Sequence, residues 1–463
     1  MKKRWAARTI ACAAAAVMAV SMTACYGVAS TNSDGGSADG AAASAAPAAS
    51  GETAAAAEAG AEGQTTISLY TTIPGKDANF EEIVNDFMAA NPDVKVNYIA
   101  YDSSEKQKWM TLYAGGQAPT VSIMDPIDIK ENSENMLAFA ADDALLEGID
   151  SKFSDIFKGE DGQIYGIPDA VQAMGIMYNK TTIEKATGEP FDPSTIKTQS
   201  DFRALCEKIQ AGGVAPLMLT GVDWSLGSHF LSQVFTGIQG DADAQTKFID
   251  DLKAGNAELK TNAGWNGVMD TFDIFKEYNY NAKDPLVGNT DMDGQAMANG
   301  EVAMWFMGDW GWSYVSKIAK EGDEYGLMAV PMTDNADDAI NQQLGVFPAK
   351  GFCIDKSQSS EAQQEAGKKL ISYILRDDAQ KFADLLETAL PYSNPDVTYT
   401  NPMINDTQAA LADGTAYSTY AFSVLLPSDF WSENGATMQQ YLADQIDRDG
   451  AADAIQAYWQ SQQ

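Results

Sequence analysis

Residues 307–312 read MGDWGW, which sets two tryptophans, one aspartate and two glycines within six positions of each other. They follow the apolar run Val302-Ala303-Met304-Trp305-Phe306. Two uses of such a cluster compete. Either the rings are core, or a strand end holds an aromatic surface and a carboxylate out to a ligand. Enzyme chemistry has little to work with elsewhere. His229, in GSHF, is the one histidine of the chain, so a zinc site of the usual His and Cys type lacks ligands. A Ser-His-Asp triad would depend on that residue alone, and a lone histidine reads first as a hydrogen-bonded structural residue. Phosphate-loop, dinucleotide-fingerprint and nucleophile-elbow patterns are missing. NTDMDGQAMANGE (Asn289 to Glu301) fills positions 1, 3, 5 and 6 of a calcium loop, but Gly300 stands where position 12 needs Glu. The plainer reading is an acidic helix start, where negative charge suits the helix dipole. Carboxylates are too numerous for a glycosidase pair to stand out. The expectation is therefore no enzyme, no metal and no cofactor.

The amino-terminal segment, residues 1–24, reads as a signal peptide. Lys2, Lys3, Arg4 and Arg8 head the apolar stretch Thr9 to Met22, which is short of the roughly 20 apolar residues that a membrane span needs. MTAC (Met22 to Cys25) resembles a bacterial lipobox, with Met22 where most have Leu, and this makes Cys25 the expected lipidated residue. An uncleaved anchor or plain secretion are the alternatives. Residues 25–64 are mostly Ala, Gly, Ser and Glu and cannot bury enough surface to offset their chain entropy. They read as a tether spanning roughly 35 Å. Stable anchoring takes about two acyl chains, which a lipidated Cys25 would supply.

Acidic residues number 65 against 30 basic, a formal charge of −35 that becomes near −39 without the four amino-terminal cations. Such a surface repels nucleic acid and anionic lipid heads. Beyond Thr65 about 400 residues remain, more than one ordinary domain, so two lobes are expected. Cys206 and Cys353 are either a disulfide or two buried thiols, and in both cases the fold must rest on its own core.

The elements that position these residues alternate. TISLYTT (Thr66 to Thr72) has the period of a half-buried strand. Phe80, Ile83, Val84, Phe87 and Met88 follow at helical spacing, with Asn79 and Glu82 as a capping pair and Asn91-Pro92 as the stop. VKVNYIAYD (Val94 to Asp102) is the next strand. Strand, helix, strand implies a parallel sheet and an α/β class. Strands of such sheets end at the crevice where ligands bind, which draws attention to Thr71, Thr72 and Asp125.

DGQIYGIPDAVQAMGIMYNKTTIEKATG (Asp161 to Gly188) resembles a segment of the extracellular solute-binding proteins of ABC transporters, in the carbohydrate-binding branch that includes maltose-binding protein. AMANGEVAMWFMGDWGW and ISYILRDDAQKFADLLETALPYSN resemble later motifs of that family, in the family's order. Departures are Gln199, where an aromatic residue is usual, and LGVFPAKGF in place of a Gly-rich return strand.

The resemblance implies a two-lobed, periplasmic-binding-protein-like type II fold with a ligand cleft between the lobes. Lobe one would take 65–169 plus 344–394, and lobe two 170–343 plus 395–463. It further implies a monomer that hands a mono- or oligosaccharide to the permease subunits of an ABC importer and is held at the outer membrane face by its lipid. Sugars present an apolar C–H face that an aromatic ring matches and a hydroxyl rim that carboxylates or amides take. Trp310 inherits the stacking role and Asp309 a rim contact, while Trp305 and Trp312 are expected in packing. Trp224 is expected as a second ring. Thr71, Thr72, Asp125, Asp169, Gln172 and Phe347 match cleft-lining positions. A non-sugar polar solute, a secreted carbohydrate-active enzyme and a surface adhesin are the alternatives.

Overall fold

The computed structural model describes residues 63–101, 105–427 and 429–462. Cys25, the expected signal peptide 1–24 and residues 25–62 of the expected tether lie outside the described residues. Among the described residues no helix is long and apolar enough to cross a membrane.

The strands are β1 (Thr65–Thr71), β2 (Val94–Ile99), β3 (Val121–Met124), β4 (Ile167–Pro168), β5 (Val171–Asn179), β6 (Ala215–Met218), β7 (Val302–Gly308), β8 (Tyr325–Met328), β9 (Leu344–Pro348), β10 (Gly351–Ile354) and β11 (Ala416–Ser418). They make two sheets, ordered β2-β1-β3-β10-β4 and β11-β9-β5-β7-β6, with β8 also on β5. Each sheet is the centre of one lobe. β1 pairs with β2 and β3 in parallel, as the strand-helix-strand order requires. The helix Asp77–Ala90 covers them with Phe80, Ile83, Val84 and Phe87. Its start differs from the expected Asn79–Glu82 pair. The helix begins at Asp77, whose carboxylate accepts from Tyr98 Oη (2.8 Å) and Tyr101 N (2.7 Å) and so ties the helix start to the end of β2.

The first lobe packs one core around Leu69, Phe80, Ile123, Phe352 and Phe382. The second lobe buries both faces of its sheet, one under Phe202, Phe230, Trp265 and Phe306, the other under Met177, Met297, Trp305 and Val346. That is why β7 reads as a continuous apolar run rather than an alternation: all seven of its residues are buried. Cys206 and Cys353 are free thiols, one in the core of each lobe, which removes the disulfide alternative.

Among the described residues the chain passes between lobes three times. β4 runs on into β5, and β9 into β10, as two adjacent antiparallel crossings. Asp169 N donates to Lys350 O (3.1 Å) and Ala349 N to Ala170 O (3.3 Å). The Asp169 carboxylate accepts from Lys350 N (2.9 Å) and Ala170 N (2.7 Å). At the third crossing buried Asn401 donates from Nδ2 to Glu387 O (3.0 Å) in the first lobe and to Asp309 O (2.8 Å) in the second. The boundaries expected at 344 and 394 therefore move. β9 belongs to the second sheet through its pairing with Val171 to Met174, so that crossing falls at Ala349–Lys350. Val397 and Tyr399 still pack in the first core, so the chain crosses at 400–402. A fourth link is not covalent. The helix Tyr420–Val424 sets Ala421 in the core of the second lobe and Val424 in that of the first.

Candidate ligand-binding site

The aromatic surface begins where β7 ends. Gly308 is extended, and the Asp309–Gly311 turn that follows folds the Trp310 ring back over it. A Cβ at Gly308 would sit 1.8 Å from that ring, so only glycine admits the packing. Trp310 is half-buried, in contact with both cores of the second lobe.

β6 runs parallel to β7 and leads into a π-helical turn, Trp224–Phe230. In an α-helix, positions five apart point about 140° apart. The wider i→i+5 turn brings them over one another, and such turns are frequent at functional sites. Trp224 and His229 accordingly meet edge to face, with ring centroids 5.1 Å apart. The turn is held by close backbone packing: a Cβ at Gly227 would lie 2.4 Å from Gly435 N of the helix Phe430–Leu442.

The rings connect. His229 lies 5.1 Å from Trp310 and 5.6 Å from Phe422, Trp310 lies 5.9 Å from Phe347, and Phe347 lies 4.9 Å from Phe422. Gln172 stands opposite Phe347 in the antiparallel β5–β9 pair, and directly opposed residues share a face of the sheet. It is half-buried, and its amide has no hydrogen-bond partner among the described residues. Of the residues expected at the site, Trp224, Trp310, Phe347 and Gln172 are thus brought together. His229 and Phe422 complete the cluster. Trp431, 43% exposed on the helix that packs against the π-turn, adds a further aromatic side chain to this lobe's surface.

Other expected site residues make bonds within the protein. Asp309 is fully buried. One carboxyl oxygen accepts from Ala173 N (3.0 Å) and Thr407 Oγ1 (3.2 Å), and the other has no partner among the described residues. Loss of hydration pushes its pKa up to about 7, so a ligand's rim is not what it meets. Asp169 is a crossover residue, also raised, to about 6, by burial. Thr72 donates to Ile123 O (3.0 Å) and the Thr71 hydroxyl accepts from Ile73 N (3.1 Å), both side chains being buried. These hydroxyls brace the end of β1. Asp125, after β3, stays partly exposed and pairs with Lys350 Nζ at 2.8 Å across the crossing. Trp305 is fully buried, as expected, with Nε1 donating to Thr220 Oγ1 at 2.9 Å. Thr220 donates in turn to Asp293 (2.6 Å), so that carboxylate of the calcium-like stretch points inward, while Asn289 caps the helix Thr290–Asn299. Trp312 is half-buried against Tyr325.

What the arrangement can do is bind. It offers flat apolar area, one free amide and one imidazole, on a lobe joined to the other by narrow crossings. The family model for the bacterial extracellular solute-binding protein matches residues 82–412, well over half of the chain. An uncharacterized ABC transporter extracellular-binding protein of Pyrococcus horikoshii is 29% identical over 230 residues, 49% of this chain and 46% of that one. A multiple sugar-binding protein of Streptococcus mutans is 26% identical over 194 residues, 41% of this chain and 44% of that one. The match thus spans under half the length of these two relatives. Apo RafE from Streptococcus pneumoniae has a TM-score of 0.70 at 18% identity, covering 87% of this chain and 99% of RafE. A structure of RafE in complex with raffinose has a TM-score of 0.67, also at 18% identity, with 86% and 99% covered. These likenesses establish the two-lobed fold. The chain belongs to the family of bacterial extracellular solute-binding proteins.

Proposed function

We propose that the protein captures a mono- or oligosaccharide between its lobes and delivers it to the permease subunits of an ABC importer. The observation that carries this reading is the ring cluster Trp224, Trp310, Phe347 and Phe422 beside the free Gln172 amide. Rings cover the C–H face of a sugar, and the amide takes hydroxyls of its rim. Asp125, partly exposed at the crossing, is the rim contact from the first lobe. RafE has been caught with raffinose, and a sugar transporter protein of Bacillus licheniformis, of the same fold, with stachyose. Both precedents favour a saccharide. Rotation of the lobes about the three crossings removes the ligand from water, as in other hinged binders. The protein works as a monomer, held at the outer membrane face by lipid on Cys25.

A thermal-shift screen with raffinose, stachyose, maltose and chitin oligosaccharides tests the ligand class, because a solute that binds only the folded state raises its stability by mass action. A rise with at least one of them, with a smaller radius of gyration at saturation, is the expected result. A response to amino acids or polyamines and to no sugar would replace the saccharide by another polar solute. Turnover of a glycoside would make the protein an enzyme. For the anchor, Cys25→Ala should release the folded part into the medium, and retention in the membrane fraction would contradict lipidation.

A further inference from the structure

His229 stands at the centre of the ring cluster, within 5.6 Å of three aromatic rings on three separate elements. A structural histidine of the kind that GSHF suggests would have its ring nitrogens bonded to the protein. Here neither has a protein partner among the described residues, and the side chain keeps part of its exposure. The charged groups nearby are turned elsewhere. On its own turn, Asp223 accepts from Trp224 N (2.8 Å). Next to Trp310, Asp309 faces Ala173 and Thr407. The helix Tyr420–Val424, which carries Phe422, has no charged residue.

We propose that His229 is the polar reader of this site: its imidazole exchanges hydrogen bonds with a hydroxyl of an uncharged ligand and fixes how that ligand lies on Trp310. The inference rests on the saccharide reading and adds to it a specificity residue and a charge class. A neutral imidazole has one N–H donor and one lone-pair acceptor, and an alcohol can answer both. A carboxylate can answer only the donor, an ammonium only the acceptor. The aromatic surroundings keep the ring in that form, since loss of hydration lowers its pKa to about 4. The π-turn is what brings the ring there, because an α-helical turn would point it away from Trp224.

The chain has one histidine, so a single pair of imidazole signals in the NMR spectrum reports on this site without ambiguity. The test titrates the parent, His229→Phe, His229→Gln and Trp310→Ala with raffinose, stachyose and maltose at pH 7. His229→Phe keeps a ring and loses both polar atoms, while His229→Gln keeps a donor and an acceptor. For the sugar that binds the parent, His229→Phe should lose about tenfold or more in affinity with an unchanged apo melting temperature. His229→Gln should stay within about threefold, and the imidazole signals should shift at saturation. Parent-like affinity in His229→Phe, with unmoved imidazole signals, overturns the proposal while a weakened Trp310→Ala leaves the saccharide reading standing. A parent that binds none of the three sugars and no chitin oligosaccharide sinks that reading, and this inference with it.

Discussion

At its strand ends the first lobe carries hydroxyls and a carboxylate held by bonds within the protein, and the second lobe gathers rings. In the first, Thr71 and Thr72 bond their own backbone, and Asp125 leans on Lys350 at the crossing. In the second, Trp224, His229, Trp310, Phe347 and Phe422 touch in a chain with few internal polar bonds. The two lobes differ in where their polar groups act. Those of Thr71 and Thr72 hold a strand end in place, and the second lobe leaves its ring cluster without such bonds. A neighbouring pair repeats the contrast within one turn, for Asp309 is locked to Ala173 and Thr407 while Trp310 stays partly exposed.

The sharpest break in that comparison should come from the wrong tryptophan of the motif. Trp305→Ala empties a fully buried site and removes the donor to the Thr220 hydroxyl, which should lower stability by about 3 to 5 kcal/mol in a denaturant melt. Next in size is a pH effect at Asp309. Its folded pKa of about 7 exceeds the usual carboxylate value, so the folded state holds a proton that the unfolded chain releases from about pH 4 upward. The stability from this group is full below about pH 4 and is withdrawn as pH rises toward 7, by at most about 4 kcal/mol. Asp309→Asn should therefore gain on the parent across that window and level off above it. Parallel curves at every pH would mean that Asp309 is ionised in the folded protein. Burial raises Asp169 to about 6 with the same sign, so the variant should keep part of the slope.

Asn401→Ala removes the clasp of the third crossing and leaves Glu387 O and Asp309 O without that partner, at about 2 kcal/mol. The loss should appear in unfolding and also as a larger apo radius in scattering. Smallest is Asp125→Asn, which weakens a partly exposed ion pair with Lys350 by less than about 1 kcal/mol. Its effect on stability should fade in high salt, and a loss as large as that of Asn401→Ala would put Asp125 among the structural groups.

Much of this was legible in the residues. The periodicity of 66–98 gave strand, helix and strand, and the aromatic expectations at Trp224, Trp310 and Phe347 converge on one surface. What was hidden had physical causes. Asp309 ends a strand buried on both faces, and nothing in MGDWGW tells which way its carboxyl turns. His229 joins Trp224 only because their turn is π-helical, and regular helical spacing would have separated them. Phe422 comes from a five-residue helix more than a hundred positions downstream of Trp310. The crossing at Lys350 lies between β9 and β10, which are nearly continuous, so no loop composition marks it.

That Trp310 is a platform and not core is tested by one paired measurement: melt apo Trp310→Ala beside Trp305→Ala, and titrate Trp310→Ala and the parent with the sugar that stabilises the parent most. If ligand covers about half of the ring, about 80 Å² at about 25 cal/mol per Å² gives about 2 kcal/mol, or near thirtyfold in affinity. That loss is expected together with an apo melting temperature that falls far less than that of Trp305→Ala. A Trp310→Ala protein that melts as early as Trp305→Ala and still binds sugar with parental affinity would contradict it.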